Sequence, residues 1–136
     1  MIFKHSFCDP FKEDIIVLED LPAEKIAAAF DQVPWATYLQ KMEAADERDI
    51  HFAPSFEIEN KETGHGLSIS AVGSAWDFEF YIFYTRPKRL KKFFGLISYM
   101  DENYVTDITG QTAKDAKQCL DALGTGDINF LENKVK

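Results

Sequence analysis

Residues 76–85 read Trp76-Asp77-Phe78-Glu79-Phe80-Tyr81-Ile82-Phe83-Tyr84-Thr85, and this stretch is the clearest indication of the fold. Its first half alternates apolar and acidic residues, which is typical of a β-strand that buries one face. The alternation places on the buried face Trp76, Phe78, Phe80, Ile82 and Tyr84. Because Tyr81 and Phe83 make the second half apolar on both faces, we expect a central strand that is covered on both sides or forms an oligomer contact.

The segments before this strand predict further strands. A short β-branched run at 14–19 is bounded by acidic residues, which suits a strand. Residues 56–59 and 67–71 each alternate apolar with polar side chains, and the intervening Asn-Lys-Glu-Thr-Gly-His-Gly at 60–66 supplies turn residues. We therefore expect an antiparallel hairpin next to the central strand.

The segment after the central strand is basic. Residues 86–92 read Arg-Pro-Lys-Arg-Leu-Lys-Lys, and the proline is expected to end the strand and begin a solvated loop. A group of cations followed by Phe93 and Phe94 is also typical of an RNA-binding loop. We favour this alternative less than the solvated loop. Another short strand is predicted over 103–108.

Helical spacing marks two segments before the hairpin. Asp20 is expected to cap the first helix, in which apolar residues recur at intervals of three and four over 23–33. Pro34 should interrupt the helix, because proline lacks the N–H that helix interiors require. A second helical segment is then expected to begin at Trp35.

A C-terminal helix is predicted over 113–123. Thr112 and Asp115 resemble a capping box at its start, and Gly124 is a typical residue for its end. A short final element should follow within 127–136. These patterns predict an α+β fold in which an antiparallel sheet of about four to five strands packs against N-terminal helices and a C-terminal helix.

The composition indicates one globular domain over residues 1–136. Of the 136 residues, 46% are hydrophobic and 14% aromatic, which excludes a disordered chain. No apolar run approaches the roughly 20 residues that span a bilayer, and the N-terminus lacks the apolar core of a signal peptide. We therefore expect a cytoplasmic protein with no membrane partner.

The net charge of −8 is concentrated at one end of the chain. Residues 1–60 carry 5 basic and 13 acidic residues, whereas residues 61–136 carry 10 of each. An acidic protein is poorly suited to bind phosphate backbones, so we expect no nucleic-acid partner and favour a basic protein partner. The candidate partner-binding residues are Glu43, Asp46, Glu47, Asp49, Glu57 and Glu59.

The sequence offers no pattern for a cofactor or metal. Cys8 and Cys119 are far apart, and His5, His51 and His65 do not form an H-x-x-x-H or H-x-H pattern. The glycines around His65 lead into a predicted strand rather than the helix that follows a phosphate-binding loop. We therefore expect no catalytic residue, no metal and no cofactor.

The order of these features resembles that of small α+β immunity proteins of bacterial polymorphic toxin systems. The features are an acidic helical part ending near Val33-Pro34-Trp35, the hairpin of Phe56-Glu57-Ile58 with Leu67-Ser68-Ile69-Ser70, an aromatic strand to Tyr84-Thr85-Arg86-Pro87-Lys88, and an amphipathic C-terminal helix. The resemblance implies a noncatalytic protein that binds and blocks a toxin, often a basic nuclease. The basic stretch at 86–92 departs from a uniformly acidic inhibitor.

Two alternatives stay open at this point. The first is a small-molecule-binding or enzymatic domain with a pocket between sheet and helices, lined by Trp76, Phe78 and Tyr84. The second is a structural subunit that forms a homodimer through the second apolar face of the central strand.

Overall fold

Six strands and four helices form the fold in the computed structural model, which describes residues 1–136. The strands are Ile2–Cys8 (β1), Ile16–Pro22 (β2), Ser55–Asn60 (β3), Gly66–Ser74 (β4), Asp77–Lys92 (β5) and Ile97–Gln111 (β6). The helices are Ile26–Asp31 (α1), Trp35–Ala44 (α2), Ala113–Thr125 (α3) and Ile128–Lys134 (α4). The predicted α+β class with an antiparallel sheet is confirmed, but the sheet has six strands rather than four to five.

The strand order in the sheet is β2-β1-β3-β4-β5-β6, and every neighbouring pair is antiparallel. The extra strand is β1, which we expected to be irregular. It lies between β2 and β3, and Phe3 and Phe7 on it are buried while Lys4 is exposed. None of the helices is long and apolar enough to cross a membrane.

All four helices pack on one face of the sheet. Phe56 and Phe80 point from that face into the same aromatic cluster as Phe30 of α1 and Trp35 of α2. The ring centroids of Phe80 lie 5.4 Å from Phe30 and 5.2 Å from Trp35. Burying large aromatic rings in this way is the main apolar contribution to stability, so the helices are held against this face.

The basic stretch does not end β5, contrary to our prediction. The strand continues to Lys92 and pairs with β6, of which the predicted strand at 103–108 is only a part. Pro87 is tolerated because the β5–β6 pairing is irregular between Arg86 and Lys88, where an N–H is not needed for the ladder. The last β4 partner of β5 is Thr85, so residues 87–103 extend beyond the sheet as a two-stranded hairpin, which we call the finger.

The ends of the helices follow local chemistry. The predicted capping box of α3 is confirmed: the Thr112 hydroxyl accepts from the Asp115 N–H at 3.1 Å, and the Asp115 carboxylate accepts from the Thr112 N–H at 3.0 Å. The helix ends at Thr125, with Gly126 as its C-cap at φ of 77°, and not at Gly124. The break at Pro34 is also confirmed, since α2 begins at the next residue.

Two predicted positions are wrong because β2 ends later, and β5 begins later, than we expected. Asp20 lies within β2 and caps no helix; a 3₁₀ turn at Ala23–Lys25 precedes α1 instead. Trp76 lies between β4 and β5, in the turn that joins them, and is 91% exposed. Trp76 therefore does not share the buried face with Phe78 and Phe80.

The different exposures of these three side chains predict different losses of stability when each is replaced by alanine. Phe80 is 3% exposed, so Phe80→Ala should lower the free energy of unfolding by about 3 to 5 kcal/mol. Phe78→Ala removes a half-buried ring and should cost less, and Trp76→Ala should cost under about 0.5 kcal/mol. Urea unfolding of the three variants measures these free energies of unfolding. A decrease below about 1 kcal/mol for Phe80→Ala would contradict the prediction.

Candidate partner-binding surface

The face of the sheet opposite the helices carries no helix, and we call it the open face. Because alternate side chains of a strand point to opposite faces, the burial of Phe56 and Ile58 against the helices turns Glu57 and Glu59 outward on the open face. Directly paired residues of neighbouring strands share a face. The register therefore places one row across all six strands, Val17, Ser6, Glu57, Ser68, Phe83 and Asp107.

A shallow cavity of about 410 Å³ lies on the open face beside β2. Its polar lining combines Glu57 and Glu59 with Lys4, and the apolar side chains of Ile15 and Val17 border it. Ser6, Ser68 and Thr85 also contribute hydroxyl groups to it. Since Lys4 pairs in register with Glu59 but forms no salt bridge, both charges remain available to a bound molecule.

Cys8 orients one of these carboxylates. Its Sγ donates to Oε1 of Glu57 at 3.1 Å. Burial, and then the hydrogen bond to Glu57 and its negative charge, raise the pKa of the Cys8 thiol to about 12. The side chain is thus a neutral thiol at physiological pH, which makes it a poor nucleophile and a steady donor to Glu57. Cys119, buried in α3, has a pKa raised to about 11, chiefly by burial.

The six predicted acidic residues do not form one patch. Glu43 lies near the end of α2, on the helix side, and its carboxylate accepts from the Ala75 N–H at 3.3 Å. Asp46 accepts two bonds from the Arg48 guanidinium, at 3.2 and 2.8 Å, and these hydrogen bonds lower the pKa of Asp46. Glu47 and Asp49 lie in the same connection between α2 and β3. Only Glu57 and Glu59 lie on the open face.

Sequence analysis missed two acidic residues of the open face. Glu79 pairs with Val72 and lies on the same side as Tyr81 and Phe83, so the alternation of β5 could have identified it. Asp107 is opposite Phe83, which is known only from the register of β6. The open face therefore holds at least these four acidic side chains, together with two half-buried aromatic rings.

The residues of the predicted pocket lie apart from one another. Trp76 is in an exposed turn, Phe78 packs edge-on against Phe80, and Tyr84 is fully buried farther along β5. A cavity of about 340 Å³ does lie between the sheet and the helices, which we call the side cavity. It is lined by His5, Phe7, Ile16, Leu18, Ala29, Gln32, Val33, Pro34 and Tyr38.

Arg86 is buried rather than solvated. Its guanidinium donates to both carboxylate oxygens of Glu132, at 3.1 and 2.8 Å, and to the Thr106 hydroxyl at 2.6 Å. Its central carbon lies 4.1 Å from the centroid of the Tyr84 ring, within cation–π range. Lys88 reaches Glu132 at 3.3 Å. These two cations lower the pKa of Glu132 and join β5 to α4, so the prediction of a solvated loop is wrong for them.

Two histidines lie in partly buried positions. His65 Nδ1 lies 2.7 Å from the Tyr84 hydroxyl, and the pKa of His65 is lowered by burial and by the charge of Arg86. Burial alone lowers the pKa of His5, which packs against the Phe56 ring. No group of three or more His, Cys, Asp or Glu side chains is arranged to hold a metal ion.

Comparisons with protein-family models, with curated proteins and with solved structures found no match to this chain.

The lowered pKa values of the two partly buried histidines predict a loss of stability in mild acid. Because the folded state lowers the pKa of His5 and His65 below 6.5, the unfolded chain takes up protons that the folded chain does not. Their contribution is fully present above about pH 6.5 and is lost as the pH falls through the folded-state values. Urea unfolding at about pH 7.5 and 5.5 should show the decrease, and the variant with His5→Gln and His65→Gln should show a shallower one. An equal decrease in both proteins would contradict the assignment.

Proposed function

We propose that this protein is a noncatalytic binding protein that occludes a basic protein partner, in the manner of an immunity protein, through its open face. The observation that carries the proposal is that Glu57, Glu59, Glu79 and Asp107 share a sheet face that no helix covers. A net acidic surface of this kind favours encounter with a basic partner and selects its orientation.

The central carboxylates are held on a rigid support. Glu57 and Glu59 lie on β3, which is hydrogen-bonded to β1 on one side and to β4 on the other. The bond from Cys8 fixes the Glu57 carboxylate further. Less conformational freedom is therefore lost when a partner's cations pair with them, which favours binding.

The open face also supplies apolar contact area. Tyr81 and Phe83 lie beside Ser70 and Ser68 of β4 and are half-buried. Aromatic side chains near the centre of an interface commonly contribute most of the binding energy, while surrounding polar residues exclude water. The arrangement of acidic residues around these two rings suits a specific contact better than a purely electrostatic one.

The other acidic residues have a different proposed role. Glu43, Asp46, Glu47 and Asp49 are exposed and lie away from the open face, at the end of α2 and after it. Charges that do not touch the partner still raise its rate of approach when the ionic strength is low. We assign these four residues to steering and the open face to contact.

A second candidate function belongs to the side cavity. Its volume of about 340 Å³ lies in the usual range for small-molecule sites, and most of its lining is apolar. His5, Gln32 and Tyr38 provide the polar groups that would orient a ligand. A small apolar compound that raises the melting temperature, with the effect lost in Val33→Trp, would favour this function over partner binding.

Charge reversal on the two groups of acidic residues tests the main proposal. The partner is captured from the source cells, identified by mass spectrometry and purified. Glu57→Lys with Glu59→Lys should weaken its binding roughly 100-fold or more, mostly through faster dissociation. Asp46→Lys, Glu47→Lys and Asp49→Lys together should instead slow association roughly tenfold at low salt and leave dissociation nearly unchanged.

A matched control reverses two exposed acidic residues on the helix side. Glu24→Lys with Asp121→Lys changes the net charge as much as the open-face pair and should leave dissociation unaltered. Equal affinity of the open-face variant and the wild type would contradict the proposal. A captured partner that is itself acidic would contradict it as well.

A further inference from the structure

The finger ends in an exposed apolar tip. Its turn is formed by Phe93, Phe94, Gly95 and Leu96, and Ile97 begins the returning strand. The exposed fraction is 66% for Phe93, 108% for Phe94 and 85% for Leu96. Single exposed apolar residues are common on proteins, but four large ones within five residues at a protruding tip mark an interaction site.

The backbone of the tip is strained at both of its exposed aromatic residues. Phe93 has φ of 53° and Phe94 has φ of 58°, and the Gly95 N–H donates to the Lys92 carbonyl at 3.2 Å. Consecutive residues at positive φ are usually Asn or Gly, because bulky residues are disfavoured there. Neither ring is buried, so packing within the chain does not offset this strain. Such strain is typical of functional segments.

Cations surround the tip and have no acidic partner. Arg89, Lys91 and Lys92 are exposed, and none of them forms a salt bridge. Lys92 lies over the Tyr99 ring at 4.8 Å, and no acidic residue occurs from Lys88 to Met100. The end of the finger is therefore a basic and apolar region on an otherwise acidic molecule.

We propose that the finger binds the surface of an anionic lipid bilayer, with Phe93, Phe94 and Leu96 inserted at the boundary of headgroups and acyl chains. Phe and Leu side chains bind at that boundary, and cations beside them are attracted to an anionic surface. Either contribution alone gives weak binding, whereas the two together give reversible attachment.

The shape of the finger favours a bilayer over a protein or nucleic acid. Its tip is convex, so a protein partner would need a matching cleft, while a lipid surface deforms around it. A nucleic acid would need a longer basic track than three free cations. The seven residues of β5 beyond Thr85 reach about 23 Å from the sheet at about 3.3 Å per residue. This exceeds the Debye length of about 8 Å, so the acidic part of the molecule is not strongly repelled.

Vesicle sedimentation tests the proposal on the full chain. The probes are vesicles of phosphatidylcholine alone and vesicles in which a third of the lipid is phosphatidylserine. Wild-type protein should sediment with the anionic vesicles, and binding should weaken roughly tenfold or more without phosphatidylserine or when salt rises to about 1 M, where the Debye length is about 3 Å.

Three variants separate the contributions. Phe93→Ser with Phe94→Ser should reduce partitioning roughly tenfold or more, and so should Lys91→Glu with Lys92→Glu. Trp76→Ser is the matched control, because it removes an aromatic residue of similar exposure at the other end of β5 and should leave partitioning unchanged. An unaltered urea midpoint shows that each variant is folded.

A spectroscopic variant locates the tip directly. In a Trp76→Phe background the only other tryptophan is the buried Trp35, which gives a constant signal. Phe94→Trp adds a fluorophore at the tip, so the total emission should shift to shorter wavelength when anionic vesicles are added. Absence of vesicle binding, or binding that survives the Phe93→Ser and Phe94→Ser changes, would overturn the proposal. So would equal binding to neutral and anionic vesicles. Vesicle-free self-association that the same changes abolish, without vesicle binding, would assign the tip to a second copy of the chain and overturn it too.

Discussion

The buried guanidinium of Arg86 holds together the end of the sheet, the start of the finger and the C-terminal helix. A charge that is only 2% exposed requires partners, because an unpaired buried charge costs several kcal/mol. Glu132 of α4, Thr106 of β6 and the Tyr84 carbonyl supply them. The Thr106 hydroxyl in turn donates to the Val135 carbonyl at 2.7 Å, which fixes the end of the chain against β6. This network anchors β5 to β6 and α4 at the residue before its proline.

The fixed position of α4 completes the helix layer on one side of the sheet and leaves the other side open. Leu131 and Val135 are buried in the same core as Leu120 of α3 and Ile82 of β5. Most large apolar side chains are thus collected on the helix side, whereas the open face carries carboxylates and hydroxyl groups beside Tyr81 and Phe83. The division separates two proposed activities: the open face contacts a basic protein, and the finger contacts a lipid surface at the end of the sheet.

Local patterns predicted the elements whose causes are local. Alternation identified the hairpin and the buried face of β5 from Phe78 onward, and the Thr112 capping box and Pro34 fixed two helix starts. The burial of Arg86 depends on a residue 46 positions away, so a cation next to a proline suggested a loop. The division of the acidic residues into two groups likewise depends on the strand register. These residues are close in sequence, within 43–59, but the sheet places Glu57 on the face opposite α2.

Amide hydrogen exchange of Glu132→Gln tests the central role of Arg86 most directly, with Lys134→Gln on the same helix as the control. Loss of the Glu132 charge leaves Arg86 without its ion pair, so exchange should accelerate together in α4 and in residues 97–106 of β6, by roughly tenfold or more, while β1 and β3 keep their protection. Acceleration confined to α4, or equal to that of Lys134→Gln, would contradict the claim that this buried guanidinium joins the finger, the sheet and the C-terminal helix.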